Sequence, residues 1–176
     1  MRWIMTMALF AGLASVALAA DVKYALTKDN TKIEWTGTKP GGKHNGGFAK
    51  VAGTASVSEK AGLEIVLEID CDSLYSDDPK LTGHLKGPDF FGVKDNPKAK
   101  FVSTKVTKAD KGFIVTGDLT LLGKKKEVSF ATDIVTGDTL VMKGAFEIDR
   151  HDFGMSYGKG KIDDKVTIRV KVDAKR

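Results

Sequence analysis

Asp149, Arg150, His151 and Asp152 form the densest run of catalytic residue types in this chain. A histidine flanked by carboxylates can move a proton, and an arginine can hold an anion. The four open the stretch "IDRHDFGMSYGKGKIDDKV", Ile148 to Val166, in which Gly154, Gly158 and Gly160 loosen the backbone. One reading is an enzyme acting on a hydrophobic substrate through the Arg150-His151-Asp152 loop. The other is a connection that joins two strands at the end of a barrel. Side chains of neighbouring residues leaving a strand point in different directions, so three in sequence rarely converge on one substrate atom. The connecting loop is the favoured reading, with Arg150 pinning it through a nearby carboxylate and no catalytic residue assigned.

Other chemistry is sparse. The three histidines, His44, His84 and His151, are isolated, with no HxxH, HxH or CxxC spacing, so no metal site is expected. No G-x-S-x-G is present, and Cys71 shares the apolar face of its run, as a small hydrophobe would. Being the sole cysteine, it forms no internal disulfide. The pairs Asp77-Asp78 and Asp163-Asp164 open a helix and precede a strand, so local structure accounts for them. No glycine loop cradles a phosphate, and no cofactor is called for.

The net charge of +5 is mild and scattered, without the basic stripe and interleaved aromatics of a nucleic-acid binder. Lys124 to Lys126 reads as a solvated turn, with anionic head groups as its alternative partners. Arg2, the apolar run after it and the Ala17-Leu18-Ala19 pattern describe a secretory signal peptide at residues 1–19, cleaved after Ala19 or Ala20. Residues 20–176 then form one domain, exported to the periplasm.

The elements that must position these residues are strands. In "LEIVLEIDC", Leu63, Ile65, Leu67, Ile69 and Cys71 share one face. Phe113, Val115, Gly117, Leu119 and Leu121 make another, followed by Val128, Phe130 and Ile134, then Leu140, Met142, Gly144, Phe146 and Ile148. Val166, Ile168, Val170 and Val172 alternate with polar partners in the last run. Such period-two alternation indicates antiparallel sheet with one wet face. Thr136-Gly137-Asp138-Thr139 and Asp110-Lys111-Gly112 predict tight turns, while Pro40-Gly41-Gly42 and Asn45-Gly46-Gly47 read as a long connection. The count is about eight strands, and a closed or nearly closed barrel removes their exposed edges. One short helix interrupts them: Ser76-Asp77-Asp78 caps it, Pro79 begins it, Leu81 and Leu85 share its face, and Gly87-Pro88 ends it.

A barrel of this size fills its interior with side chains or encloses one small ligand. Gly117, Gly144 and Ala55 on the inward faces would leave volume beside Phe101, Phe113, Phe130 and Phe146, which suits a narrow apolar tunnel. A packed core without a ligand stays open on pattern alone.

Three stretches in order, "LTGHLKGPDFFGVKDNPKAKFVSTKV", "VTGDLTLLGKKKEVSF" and "FEIDRHDFGMSYGKGKIDDKVTIRVKV", resemble the YceI family of exported bacterial proteins, over roughly Ile33 to Val172. The resemblance implies an all-β, antiparallel, eight-stranded lipocalin-like barrel with one short inserted helix and an elongated hydrophobic pocket. It implies binding of a polyisoprenoid, quinone-like or similar long-chain amphiphilic lipid, for transport, storage or sequestration. Pocket candidates are Trp35, Phe48, Leu81, Leu85, Phe90, Phe91, Phe101, Phe113, Phe130, Phe146, Phe153 and Met155. Lys43, His44, Arg150 and His151 are candidates for the lipid's head. Transient contact with a membrane surface and a homodimer fit the same picture. The stretch "GTKPGGKHNGGF", Gly37 to Phe48, is longer and richer in glycine than the family's usual early hairpin, and it would shape the entrance.

Overall fold

The computed structural model describes residues 21–176, and the expected signal segment lies outside them. The strands are β1 (Val22–Thr27), β2 (Thr31–Lys39), β3 (Gly42–Phe48), β4 (Val51–Ser58), β5 (Gly62–Asp70), β6 (Leu74–Ser76), β7 (Lys98–Lys108), β8 (Phe113–Leu121), β9 (Lys124–Val135), β10 (Thr139–Asp149) and β11 (Lys165–Lys175). One helix, α1 (Pro79–Lys86), stands between β6 and β7. All the strands join one antiparallel sheet in the order β1-β4-β5-β7-β8-β9-β10-β11-β2-β3-β6.

Among the described residues the strand count is therefore eleven rather than eight. Part of the excess is the stretch whose glycines suggest a connection: it is β3, paired with β2 from Glu34↔Gly47 to Lys39↔Gly42. Glycine is needed there for close approach, not for turning. The indole of Trp35 lies across Gly46, where an added Cβ would meet Trp35 Cζ2 at 2.4 Å and the Tyr75 carbonyl oxygen at 2.1 Å. β6 adds three residues, too few to show alternation.

The sheet curls into a half-barrel whose ladder begins at β1 and ends at β6, so of the closed or nearly closed barrel expected, the fully closed ring is not formed. Consecutive strands β1 and β2 do not pair; β1 pairs β4, whereas β2 pairs β11 and β3. The free side of β1 is tied to the β9–β10 turn, where the Tyr24 hydroxyl donates to the Gly137 carbonyl at 2.7 Å. The Asp173 amide donates to the Asn30 carbonyl at 2.8 Å and extends the β2–β11 ladder by one rung. The turns after β1, β4, β7 and β9 gather at this end. The β2–β3 hairpin, α1, the β8–β9 turn and the loop after β10 gather at the other.

Beside the β1 end the interior is filled. Ala55, Val115, Leu140 and Ala174 are fully buried, and Tyr24 retains 1 % of its exposure. Gly117 and Gly144 belong to packed wall and leave no volume. A Cβ on Gly117 would strike the Phe101 ring at 2.6 Å, and one on Gly144 would meet Thr132 Cβ at 3.0 Å. Cys71 sits one residue beyond β5 in a short 3-10 turn, 1 % exposed, and burial pushes its thiol up to about 11.

Gly46→Ala should cost about 1–3 kcal/mol through overpacking against Trp35 and Tyr75. Gly137→Ala, with nothing within 4 Å of the added methyl, should leave stability nearly unchanged. Denaturant midpoints of the two variants check this; equal midpoints would refute the close-packing role.

Candidate functional site

The helix is local in origin. Asp78 caps it, accepting from the amides of Lys80 at 2.7 Å and Leu81 at 3.0 Å, and Pro79 supplies a first-turn residue that needs no hydrogen-bond donor. None of its residues is fully buried. Leu81, His84 and Leu85 face a cavity of about 310 Å³ that runs into the barrel from this end.

The walls alternate as the strands do. β2 presents Ile33 and Trp35, β11 presents Val166, Ile168, Val170 and Val172, and β10 presents Met142, Phe146 and Ile148. Opposite stand Ile65, Leu67 and Ile69 from β5, Ala99 and Phe101 from β7, and Leu119 and Leu121 from β8. From Ile33 to Lys39 along β2 the cavity follows the sheet for roughly 20 Å, at about 3.3 Å per residue. Phe130 and Phe146 stack with centroids 4.6 Å apart and planes at 14°, and Phe101 leans on Phe130 at 6.1 Å. The stack makes one wall flat and rigid.

Over the mouth, Phe48 meets Phe91 edge-on at 5.8 Å. His84 stands edge-on to Phe90 at 5.1 Å and to Tyr157 at 4.7 Å, so α1 touches the loop after β10 through aromatic rings. His84 Nε2 pairs with Asp89 at 3.0 Å. On the other flank His44 Nδ1 pairs with Asp77 at 2.8 Å, tying β3 to the segment before α1. Asp77 also accepts from the Asn45 amide at 2.8 Å. That amide bond, then the His44 hydrogen bond, holds the Asp77 carboxyl below its ordinary value. Thr38 and Asp163 close a third contact, by side chain and by backbone.

Arg150 is buried where β10 ends, and every one of its donor directions is taken. Nε donates to the Asp163 carbonyl at 3.1 Å. Nη1 donates to those of Met155 at 2.8 Å and Tyr157 at 2.7 Å. Nη2 reaches Ile162 O at 3.4 Å and Asp164 Oδ1 at 3.3 Å. His151 Nε2 binds the same Asp164 oxygen at 2.6 Å, while Asp152 faces Lys126 at 3.9 Å. Arg150 and His151 thus share Asp164 while Asp152 turns to Lys126, so the three do not converge on one open point.

Of the pocket candidates, Trp35, Phe48, Leu81, Leu85, Phe90, Phe91, Phe101, Phe130, Phe146 and Met155 line the cavity. Phe113 does not, because it lies at the filled end of β8. Phe153 does not either; it is 2 % exposed and packs beneath the loop. Of the head-group candidates, His44 and Arg150 line the cavity, Arg150 without a free donor, whereas Lys43 and His151 lie outside its wall. Sequence reasoning missed His84, Tyr157, Ile162, Thr38 and Lys39 at the mouth and the inward row of β11 in the wall. Alternation had marked that β11 row as inward; only its depth in the barrel decides that it borders open volume.

A YceI-like domain model matches residues 24–174. The chain belongs to the YceI-like family. Relatives from Pseudomonas putida, named UPF0312 proteins, are 28% identical over 171 residues, covering 91% of this chain and 88% of theirs. One from Photorhabdus laumondii is 33% identical over 92 residues, covering 51% of this chain and 48% of its own. Among solved structures, Burkholderia cenocepacia BcnA superposes with a TM-score of 0.74 at 24% identity, over 82% of this chain and 96% of that one. A polyisoprenoid binding domain from Saccharophagus degradans does so at 0.65 and 12% identity, over 87% and 97%. These likenesses establish the lipocalin-like YceI fold, here with a half-barrel and one helix.

Arg150→Met should leave several loop carbonyls unpaired and destabilise the domain by about 2–4 kcal/mol. Arg150→Lys should not restore it, since an ammonium cannot span the same fork of acceptors. Thermal unfolding, with amide exchange at Met155 and Ile162, reads both. The lowered Asp77 carboxyl gives a second expectation. Its contribution is complete above the ordinary value of 3.8 and fades as pH falls through the lower folded-state value. Asp77→Asn should therefore be less stable than the parent at neutral pH, and the gap should close only below pH 3.8. A gap that persists in acid would refute the assignment.

Proposed function

We propose that this chain is an exported, periplasmic binding protein that holds a polyisoprenoid, quinone-like or similar long-chain amphiphile in the barrel cavity. One observation carries the reading: an elongated cavity with walls of aliphatic and aromatic carbon, bordered by polar side chains only near its mouth. Such walls suit a tail that makes no hydrogen bonds. The polar head sits at the mouth beside His44 and His84, each already held by an aspartate through one ring nitrogen, with Lys39 adjacent. Arg150 maintains the loop and makes no contact with the head. The binding activity of the named Saccharophagus domain, which has the same fold, supports this reading. Binding, with no turnover, is the activity proposed.

The test is extraction of lipid from protein purified from its native host, identified by mass spectrometry, with uptake of polyprenol assayed in parallel. A co-purifying isoprenoid is expected. Val170→Trp, which fills the wall of β11, should lower polyprenol uptake at least about tenfold without unfolding the domain. Protein that carries no lipid and takes up neither polyprenol nor quinone would end the proposal.

A further inference from the structure

The two ends of the barrel carry their charges differently. At the filled end, acid and base alternate: Lys28 pairs with Asp29, Arg176 with Asp138, and the turns place Glu59 beside Lys60 and Asp110 beside Lys111. At the mouth the carboxylates are mostly exposed but tied to partners within the fold. Asp77 and Asp89 hold the two histidines, Asp78 caps α1, Asp163 holds Thr38, and Asp164 holds Arg150 and His151.

Lys86, Lys125 and Lys126 at this end pair with Asp72, Asp118 and Asp152, but five lysines of the mouth have no such ties. Lys39 and Lys43 lie on the β2–β3 hairpin, Lys80 in the first turn of α1, and Lys159 and Lys161 on the loop after β10. All five are exposed, and none has a carboxylate within ion-pair distance among the described residues. Each is itself at the cavity's edge or beside a residue that is: Lys43 next to His44, Lys80 next to Leu81, and Lys159 bridged to Ile162, which follows Lys161. Among them stands Tyr157, 48% exposed although its ring also borders the cavity. Attraction to a charged surface decays within about 8 Å at physiological salt. Exposed cations without a partner are therefore felt there more strongly than carboxylates whose charge is already paired.

Resting on the binding reading above, we propose that the mouth is a docking surface for an anionic bilayer, on which the free lysines engage lipid phosphates and Tyr157 seats in the head-group layer. A phenol with one polar and one apolar end suits that layer. Docked so, the cavity opens directly toward the membrane, and a tail passes between the two without crossing water.

The test is flotation of the mature protein with vesicles of phosphatidylcholine alone or mixed with phosphatidylglycerol. Binding only to the mixed vesicles, reversed by salt, is expected. Lys43→Gln with Lys161→Gln should weaken it roughly thirtyfold, from about one unit of surface attraction lost per lysine. Lys108→Gln with Lys111→Gln removes the same charge from the opposite end and should change it less than about threefold. Tyr157→Ser should also weaken it. Equal losses from both double variants, or no binding of the parent protein to mixed vesicles, would overturn the proposal. Native mass spectrometry after loading polyprenol from detergent separates the two readings. Protein that loads but does not float refutes docking alone, while protein that floats but never loads refutes the binding function alone.

Discussion

A single curled sheet has no second layer to bury its apolar face, so its inner side chains must meet one another across the barrel. In this chain they do so completely only at one end. Tyr24, Ala55, Val115, Leu140 and Ala174 fill that region, and the Tyr24 hydroxyl fastens β1 to the β9–β10 turn. Without this plug nothing would hold the free side of β1 against the β9–β10 turn. With it, strand direction is set, and the same strands can diverge further along around 310 Å³ of open volume. The cavity is a consequence of closure elsewhere, which is why its wall residues tolerate facing no neighbour.

The loop after β10 applies the same economy to polar groups. A buried guanidinium is expensive unless its donors are met, and here four carbonyls and one carboxylate meet them. Because the acceptors lie on residues 155 to 164, one side chain shapes the whole loop and carries Met155, Tyr157 and Ile162 to the mouth. The histidines at the mouth are different. Each spends one ring nitrogen on an aspartate and stays partly exposed, so each keeps a second nitrogen for other partners. Saturation separates a structural cation from an available one more sharply than residue type does.

That distinction explains what could be read from the sequence. Alternation identified the inward rows of β5, β8, β10 and β11, and Asp78, Pro79 and Gly87 marked α1 at both ends. The YceI-like motifs led to the correct family and to a cavity beside α1. Glycine misled twice. At Gly46 it admits the Trp35 indole within a strand, and at Gly117 it admits the Phe101 ring, so neither a loop nor free volume follows. Local spacing does not encode which distant ring will lie over a glycine. Nor does it encode depth: Phe113 and Phe101 follow the same alternation, yet only Phe101 borders the cavity, since β8 starts at the plugged end.

The nature of the wall also constrains how a ligand would exchange. Moving a methylene from water onto carbon gains about 0.8 kcal/mol, so a long tail would bind almost irreversibly if water were its only alternative. Its alternative in a membrane is hydrocarbon of equal polarity, and that gain then cancels. What would remain is shape, chiefly the flat Phe130–Phe146 stack, together with whatever polar contacts the proposed ligand's head makes at the mouth. Both are modest, so transfer would run in either direction according to supply. Under the proposed binding function, reversibility of this kind would follow from a wall that offers the tail nothing a bilayer lacks except a fixed form.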